Sequence, residues 1–384
     1  MSDARPSSPT QAAHPAKEIA ALFLRLGLTA FGGPAAHLTF MEREAVTRRC
    51  WLSKSEFLDL VGACNLLPGP SSTQVAMALG FRRGSWPGLV LAGVCFILPA
   101  ALATLALAWA YVRFGSLPQG QGLLYGAKPV MVAIVLQAVW NLGRTACRNW
   151  TLGLVGLACF AAALFGAPPL AVLLAAGIVV LFLSLARRPR ATAIAIAAIP
   201  IGATSATAAS VGLVPILLTF LKMGVVVFGS GYVLLSFLQA DLVDRLHWIT
   251  RAQLLDAVTA GQLTPGPVFA AATFLGYLLH GFSGAAVATL AIFLPSFFLA
   301  GLVGILARRI RKSPAAASFL DGVNSAAVAL IAAVAVTLGR AALLDLFTWG
   351  LAAASLLLLL RFKVNATWLI LAGAALGLVL RTFA

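Results

Sequence analysis

The chain has 384 residues, of which 61% are hydrophobic and only 10% are charged. Soluble globular chains carry roughly 25% charged residues, so this composition excludes an ordinary soluble domain and predicts an all-α polytopic membrane protein in a lipid bilayer. The formal net charge is +16, but the lysines and arginines form short clusters between apolar runs. Clusters of that kind set membrane topology, so no nucleic-acid partner is expected.

The chain consists of two copies of one unit. Residues 1–16 are polar and lack the apolar stretch of a signal peptide, which predicts a disordered tail. At a shift of 197 residues, "FLRLGLTAFGGP" (Phe23 to Pro34) matches "FLKMGVVVFGSG" (Phe220 to Gly231), and Pro68-Gly69-Pro70 matches Pro265-Gly266-Pro267. The predicted organisation is a first repeat at 17–190, a linker at 191–212 and a second repeat at 213–384.

The basic residues indicate that the two repeats insert in opposite directions. Cytoplasmic loops collect lysine and arginine. In the loop before the Pro-Gly-Pro segment, the first repeat has an excess of basic residues and the second repeat does not. In the loop after the following helix, the second repeat has that excess and the first repeat does not. The two basic clusters are Arg43, Arg48, Arg49 and Lys54 in the first repeat, and Arg308, Arg309, Arg311 and Lys312 in the second. This reversal predicts an inverted-topology repeat.

Each Pro-Gly-Pro segment is predicted to be the tip of a re-entrant hairpin. If the chain turns back at Pro68, the later basic groups, including the cluster at 187–190, all fall on the cytoplasmic side. With spans near 18–40 and 213–238, this gives about ten crossings plus two re-entrant hairpins. The other first-repeat spans fall near 85–112, 123–143, 149–166 and 168–186. Full crossing by the Pro-Gly-Pro segments, with a higher count, stays open.

The helix breaks themselves predict an anion site. An interrupted membrane helix presents unpaired N–H groups and the positive end of its dipole, and proline suits the first turn of the helix that follows. Four such helix starts meeting between inverted repeats would bind an anion. The residues at these breaks are Gly32, Gly33, Pro34, Pro68, Gly69 and Pro70 in the first repeat, and Gly229, Pro265, Gly266 and Pro267 in the second.

Neutral polar side chains next to the breaks strengthen this hypothesis. Ser71, Ser72 and Gln74 follow the first Pro-Gly-Pro and can donate hydrogen bonds to an oxyanion. Val268 and Phe269 replace the two serines in the second repeat, so the pocket cannot be symmetric. The remaining candidates are the amides of Asn65 and Gln262 and the hydroxyl of Thr264. Simple capping of the freed backbone is the alternative role for Ser71 and Ser72.

Three further residues are candidates because of their charge or titration. Arg25 and Lys222 occupy the same position in the two repeats, about 9 Å along the helix from each break, and two cations would suit a ligand of charge −2. Snorkelling to the interface is the alternative for both. His37, one turn after Pro34, could donate to an anion or titrate, although helix packing is equally compatible. Asp59 and Asp256 also match, and a local ion pair is preferred over a proton-carrying role.

The combination of "FGGPAAH", a basic loop ending in tryptophan, "N-x-x-PGP" and "F-x-LP", present in two related copies, resembles the chromate ion transporter family in its long, two-domain form. The resemblance covers nearly all of residues 17–384. It implies a multi-pass protein of the bacterial inner membrane that exports chromate, an oxyanion shaped like sulfate, and confers chromate resistance. In the second repeat, Ser230 and Gly231 replace Gly-Pro and Leu234 stands opposite His37, so an equal role for the second break is in doubt.

The expected mechanism is secondary transport without a cofactor or metal. The chain contains no Walker A sequence, so ATP does not drive transport within it. Sulfate or another oxyanion is the alternative substrate. An intramembrane enzyme is disfavoured because the 11 acidic residues form no metal-binding cluster inside a span. A homodimer is possible, and two inverted repeats also permit a working monomer.

Overall fold

The architecture is taken from a computed structural model that describes residues 15–31, 33–186, 211–228, 231–310, 314–362 and 364–383. Most of the predicted tail and linker, together with Gly32, Gly229 and the second basic cluster's Arg311 and Lys312, lie outside the described residues. The described residues form fourteen α-helices. They are α1 (Pro15–Thr29), α2 (Gly33–Glu42), α3 (Lys54–Cys64), α4 (Ser71–Phe114), α5 (Pro118–Ala146), α6 (Trp150–Leu164), α7 (Pro169–Ala186), α8 (Leu213–Val226), α9 (Val233–Leu238), α10 (Arg251–Leu263), α11 (Ala271–Ile310), α12 (Pro314–Ala342), α13 (Leu346–Leu357) and α14 (Ala366–Phe383).

Short segments of other helix types extend several of these helices. π-helical turns follow α2, α9 and α13, and a single 3₁₀ turn precedes α11. Their bounds are Arg43–Arg48, Gln239–Arg245, Leu358–Phe362 and Val268–Ala270.

Helices α3 and α10 begin at equivalent positions in the two repeats, and each begins with a capping box. The Ser53 hydroxyl accepts from the Glu56 amide at 3.3 Å, and the Glu56 carboxylate accepts from the Ser53 amide at 2.9 Å. The hydrogen bond from the Ser53 amide, together with that from its hydroxyl and the charge of Arg82, lowers the pKa of Glu56. Thr250 and Gln253 form the same reciprocal pair in the second repeat. The S-x-x-E and T-x-x-Q patterns therefore fix where both helices start.

Helix α4 consists of two limbs, residues 71–83 and 86–114, that fold back on each other. The backbone leaves helical geometry at Gly84 and at Ser85, whose φ is +52°. A Cβ placed on Gly80 would lie 2.3 Å from the carbonyl oxygen of Gly88. In a straight helix these residues would be about 12 Å apart, so the chain reverses between them.

Helix α11 reverses in the same way. The break falls at His280 and Gly281, and a Cβ on Gly276 would lie 2.3 Å from the carbonyl oxygen of Gly284. Because the reversals occur at equivalent positions, both repeats use a short limb followed by a long one.

Helix α3 and the short limb of α4 form a hairpin whose tip is the first Pro-Gly-Pro. Arg82, near the end of the short limb, pairs with Glu56 at the start of α3, at 3.3 Å. The two ends of the hairpin are therefore side by side, as the predicted turn at Pro68 requires.

The interpretation of 18–40 and 213–238 as single spans is wrong. Glu18 near the start of α1 binds Arg49, which follows α2 and its π-helical turn, at 3.0 Å. Over a straight helix these residues would be about 46 Å apart, so α1 and α2 form another hairpin. The bond between Lys222 on α8 and Asp241 shows the same reversal in the second repeat. In the first repeat the cause is the break around Gly33 (φ +75°), where positive φ and the proline that follows end one helix and redirect the next.

The two repeats are interlocked by close helix crossings. Gly122 and Gly126 of α5 contact Gly373 and Gly377 of α14, and a Cβ on Gly126 would lie 1.9 Å from the carbonyl oxygen of Gly373. Both helices thus carry a G-x-x-x-G pattern, which lets membrane helices approach to backbone contact. In the equivalent crossing, Gly322 of α12 packs on α7. Each repeat therefore holds helices that pack mainly on the other.

Five stretches of described helix are long and apolar enough to cross a membrane. They are Ser71–Phe114, Pro118–Ala146, Pro169–Ala186, Val268–Val303 and Ala315–Ala342, and shorter apolar helices include Trp150–Leu164 and Leu346–Phe362. The predicted spans 85–112, 123–143, 149–166 and 168–186 coincide with the long limb of α4, α5, α6 and α7. The chain is a helical polytopic membrane protein, as its composition predicts.

Candidate functional site

A small cavity lies where the starts of four helical segments meet. Its volume is about 20 Å³, and residues from both repeats line it. The lining residues are Pro34, Pro70, Ser71, Ser72, Gly231, Pro267, Val268 and Phe269. They belong to the starts of α2, α4, α9 and the segment leading into α11. Such a volume holds about one water molecule, so the cavity is nearly closed.

Two equivalent backbone hydrogen bonds connect the repeats beside this cavity. The Gly69 amide donates to the Val227 carbonyl at 2.6 Å, and the Gly266 amide donates to the Ala30 carbonyl at 3.1 Å. Gly69 and Gly266 are equivalent, as are Ala30 and Val227, so each Pro-Gly-Pro tip is bound to the helix break of the other repeat. The bridge between Pro68 and Phe228 extends the first of these contacts.

Both tips require glycine. The φ angles of Gly69 and Gly266 are +109° and +100°, which L-residues with a side chain rarely adopt. A Cβ on Gly69 would also lie 2.8 Å from the hydroxyl oxygen of Ser296, and one on Gly266 would lie 2.8 Å from the Cβ of Ala100. The tips therefore fit against the long limbs of α11 and α4 only because they have no side chain.

His37 lies behind the cavity wall and holds Ser72. The ring is fully buried, with its edge against Phe96 at a centroid distance of 5.3 Å. Nε2 is 3.0 Å from the Ala30 carbonyl and Nδ1 is 3.4 Å from the Ser72 hydroxyl. A carbonyl only accepts, so in the neutral ring Nε2 carries the proton and Nδ1 accepts from Ser72. Leu234 cannot do this at the equivalent position in the second repeat.

The predicted amide and hydroxyl groups have different environments. Gln74 is fully buried and donates through Nε2 to the Pro68 carbonyl, which fixes the first tip. Gln262 is buried and hydrogen-bonded to Tyr232, whereas the equivalent Asn65 is exposed at the end of α3. Thr264 joins Thr104 of α4 at 3.1 Å. These groups support the tips, and Ser71 and Ser72 are the predicted side chains that reach the cavity.

The two predicted cations do not meet at the cavity. Arg25 is exposed on the outer face of α1, and within the described residues no carboxylate lies within ion-pair distance of it. Lys222 binds Asp241, which is buried and also pairs with Arg245 at 3.2 Å. Lys222 is therefore held in an ion pair and does not line the cavity.

The electrostatics of the cavity come from backbone and hydroxyl dipoles. None of its eight lining residues is charged. The first turn of the α4 short limb has amides without carbonyl partners inside the helix, and the same holds for the turn that begins at Val268. Helix starts carry partial positive charge, and hydroxyls add adjustable donors on the first-repeat side. Such a site can bind an oxyanion without a fixed cation.

Sequence reasoning missed one buried charged group. Asp256 binds Lys128 of α5 at 3.2 Å and accepts from the Tyr111 hydroxyl at 3.0 Å. Lys128 lies inside the predicted span 123–143, and a lysine within a span was the available signal. Asp256 does form an ion pair, but its partner is Lys128 on a helix of the other repeat and not a group local to its own hairpin. Among the described residues, no group of three His, Cys, Asp or Glu side chains is placed to hold a metal ion.

A polytopic helical protein with paired helix breaks around a closed cavity between two repeats has the organisation of a membrane transporter. The model of the family "Chromate transporter" matches residues 17–181 and 214–378, two segments whose starts are 197 positions apart. The chain therefore belongs to the chromate transporter family, a family of membrane transporters and not of enzymes.

Similar proteins carry consistent names. A "Chromate transport protein" of Cupriavidus metallidurans is 35% identical over 94% of this chain and 92% of its own length. A "Probable chromate transport protein" of Synechococcus elongatus is 33% identical over 88% of each chain. A "Chromate transport protein" of Pseudomonas aeruginosa is 32% identical over 84% of this chain and 81% of its own length. No solved structure matches the chain.

Proposed function

We propose that this protein is a secondary transporter that exports chromate across the bacterial inner membrane and so confers chromate resistance. The observation that carries the proposal is the cavity: four helix starts from two repeats converge on it, and two serines supply hydroxyls there. The family and the names of its relatives favour chromate over sulfate as the substrate.

The proposed topology follows from the ends of the first-repeat hairpins. Arg49, Arg82 and Arg83 gather there with Glu18 and Glu56. Basic residues favour the cytoplasmic side. The positions equivalent to these arginines are Leu246, Leu278 and Leu279, so the second-repeat hairpins lack this charge. We therefore place the first-repeat hairpins open to the cytoplasm and the second-repeat hairpins open to the opposite side, as re-entrant segments of an inverted repeat.

The proposed mechanism is alternating access around an occluded site. A cavity of about 20 Å³ has room for about one water molecule, so a five-atom oxyanion enters only when one set of hairpins separates. Movement of the first-repeat tips opens the site to the cytoplasm, and movement of the second-repeat tips opens it to the other side. The equivalent bonds of Gly69 and Gly266 are the contacts that such movements would break in turn.

The membrane potential is sufficient to drive export. An inside-negative potential does work of ~2.3 kcal/mol per 100 mV on each exported negative charge. A dianion gains about twice that, which is roughly three decades of concentration. No coupled ion is therefore needed for net export.

The test is chromate uptake into inside-out membrane vesicles and into proteoliposomes with a clamped potential. We expect uptake that depends on the protein and rises as the interior becomes more positive. The Ser71→Ala/Ser72→Ala double variant should raise KM for chromate at least tenfold, because one hydrogen bond to a charged ligand is worth ~1.5–3 kcal/mol. Ser72 has a single O–H, so it contributes a second such bond only if it turns from His37 to the ligand. Ser283→Ala, an exposed serine that bonds the His280 carbonyl, is the control. Uptake without the protein, or without response to potential, would refute export by this mechanism.

A further inference from the structure

Asp256, Lys128 and Tyr111 form a buried charged group that the proposed cavity does not use. Asp256 is 3% exposed and lies on α10, Lys128 is on α5 and Tyr111 is at the end of the long limb of α4. The carboxylate receives the ammonium on one oxygen at 3.2 Å and the phenol hydroxyl on the other at 3.0 Å. The group thus ties the second-repeat hairpin to two helices of the first repeat.

The architecture of the repeat does not require this group. Exchanging the roles of the two repeats gives the equivalent positions Asp59 in the first repeat and Ala307 and Asn324 in the second, where alanine replaces Tyr111 and asparagine replaces Lys128. Asp59 is exposed, whereas Asp256 is buried. A buried ion pair contributes little net stability, because desolvation of the charges offsets their attraction. Since the equivalent contact between the repeats has neither the lysine nor the tyrosine, the presence of the group in one of the two contacts points to a role in transport.

The group lies between the cavity and the open end of the second-repeat hairpin. Helix α10 runs antiparallel to the long limb of α4, because Thr264 contacts Thr104 at one end and Asp256 contacts Tyr111 at the other. From Thr264 beside the tip, Asp256 is eight residues back along α10, or about 12 Å. Asp256 and Lys128 therefore lie along the second-repeat hairpin, between its tip and its open end.

Only Lys128 and Tyr111 are bonded to Asp256 among the described titratable groups on the helices packed against α10. The others are bound elsewhere or exposed. Two are in ion pairs: Asp241 binds Lys222 and Arg245, and Asp244 binds Arg251. Tyr125 is hydrogen-bonded to Asp345 and Arg381 to Gln121, Tyr277 packs on Phe282, and Asp321 lines a separate cavity of α6, α7 and α12. The exposed groups are Arg113, Arg144, His280 and Arg340.

We propose that Asp256 binds a proton during transport, and that its ion pair with Lys128 is the gate on the second-repeat side. With Asp256 ionised, the pair is neutral and holds α10 to α5, so the hairpin stays closed. When the carboxylate takes a proton from water on that side, the pair separates and Lys128 becomes an uncompensated cation beside the exit route. That cation attracts the oxyanion, and loss of the proton to water restores the pair. The inference rests on the proposed function.

The test is chromate exchange by the full chain in proteoliposomes, with equal pH on both sides and the potential clamped at zero. Chromate itself takes up a proton near neutral pH, so the pH dependence of a single variant does not isolate the protein's part. The pH profile of the exchange rate is therefore compared between variants. In Asp256→Asn we expect the pH dependence of the exchange rate that is due to the protein to disappear, which leaves only the part due to chromate. In Lys128→Gln the carboxylate is easier to protonate, so the profile should move to higher pH by about 1–3 units. Tyr111→Phe should move it the same way by less.

Asp59→Asn, at the equivalent position of the first repeat, is the matched control and should keep the wild-type profile. The neutral pair Asp256→Asn/Lys128→Gln separates loss of folding from loss of the proton site, since it leaves no unpaired charge. A wild-type profile in Asp256→Asn, or no upward shift in Lys128→Gln, would overturn the inference. Absence of chromate exchange by the wild-type protein at every pH would instead overturn the proposed function.

Discussion

Two glycines determine the shape of the candidate site more directly than any charged residue. Gly69 and Gly266 adopt positive φ at the hairpin tips, and each amide binds the carbonyl at the other repeat's break. The serines that line the cavity come directly after the first of these tips. A change of backbone conformation at a tip therefore changes both the connection between repeats and the position of the hydroxyls.

Gly69→Ala tests this dependence. A left-handed conformation costs an alanine about 1–2 kcal/mol, and the added methyl group would contact the Ser296 hydroxyl at 2.8 Å. We expect a lower thermal midpoint in detergent and a large loss of chromate transport. Gly62→Ala is the control, because a Cβ there meets nothing within 4 Å. If Gly69→Ala behaved like Gly62→Ala, the tip would not hold the site.

His37 shows how a titratable residue near the site can act indirectly. It was predicted as a possible donor to the anion, but in this conformation its two nitrogens are engaged by Ala30 and Ser72. Its effect on the ligand is therefore exerted through the orientation of the Ser72 hydroxyl. A direct contact with the oxyanion would require the cavity wall to rearrange.

Hairpins and G-x-x-x-G crossings are the elements that build the site. The short limbs of α4 and α11 bring helix starts to the middle of the molecule, while the long limbs and α5 to α7 support them. The crossing of α5 and α14 is the tightest contact of this support, with backbone against backbone at Gly126 and Gly373. Since α5 also carries Lys128, the crossing fixes the helix from which the proposed gate is built.

Gly126→Ala should disrupt this crossing. Its Cβ would lie 1.9 Å from the Gly373 carbonyl oxygen, so the helices would have to separate. Overpacking of this kind costs about 1–3 kcal/mol and should appear as a lower thermal midpoint in detergent. Gly350→Ala on α13, where a Cβ meets nothing within 4 Å, should be neutral or slightly stabilising. Equal midpoints for the two variants would show that the crossing does not limit stability.

At the scale of the whole molecule, the two repeats form one interlocked body. Helix α7 of the first repeat packs on α12, and α14 of the second packs on α5. The tips are exchanged in the same way, because each binds the break of the other repeat. Among the described residues, association of the repeats is thus maintained by helix contacts across the whole interface.

A chain divided within residues 191–210 should therefore still assemble. We expect the two halves, expressed together, to co-purify through a tag on one of them and to restore chromate transport. Each half expressed alone leaves the glycine-lined faces of α5 or α12 without their partners and should be degraded. Accumulation of either half alone at the level of the pair would contradict the interlocked arrangement.

The sequence alone determined the class, the repeat and the places where helices break. Apolar composition, the 197-residue shift and the proline–glycine motifs are local signals, and the family match and the helix bounds agree with them. Sequence reasoning also placed Ser71 and Ser72 beside helix starts that do meet. The spans at 18–40 and 213–238 could not be read correctly, because an interrupted helix that continues and one that reverses have the same local pattern.

Only the tertiary structure decided which groups meet. It placed Lys222 against Asp241, left Arg25 on the outer face and brought Lys128 to Asp256, although these pairs are 19 and 128 residues apart in sequence. It also exchanged the tips between the repeats. The physical reason is that hydropathy and helix breaking act over a few residues, whereas the pairing of charges and tips depends on how distant helices pack.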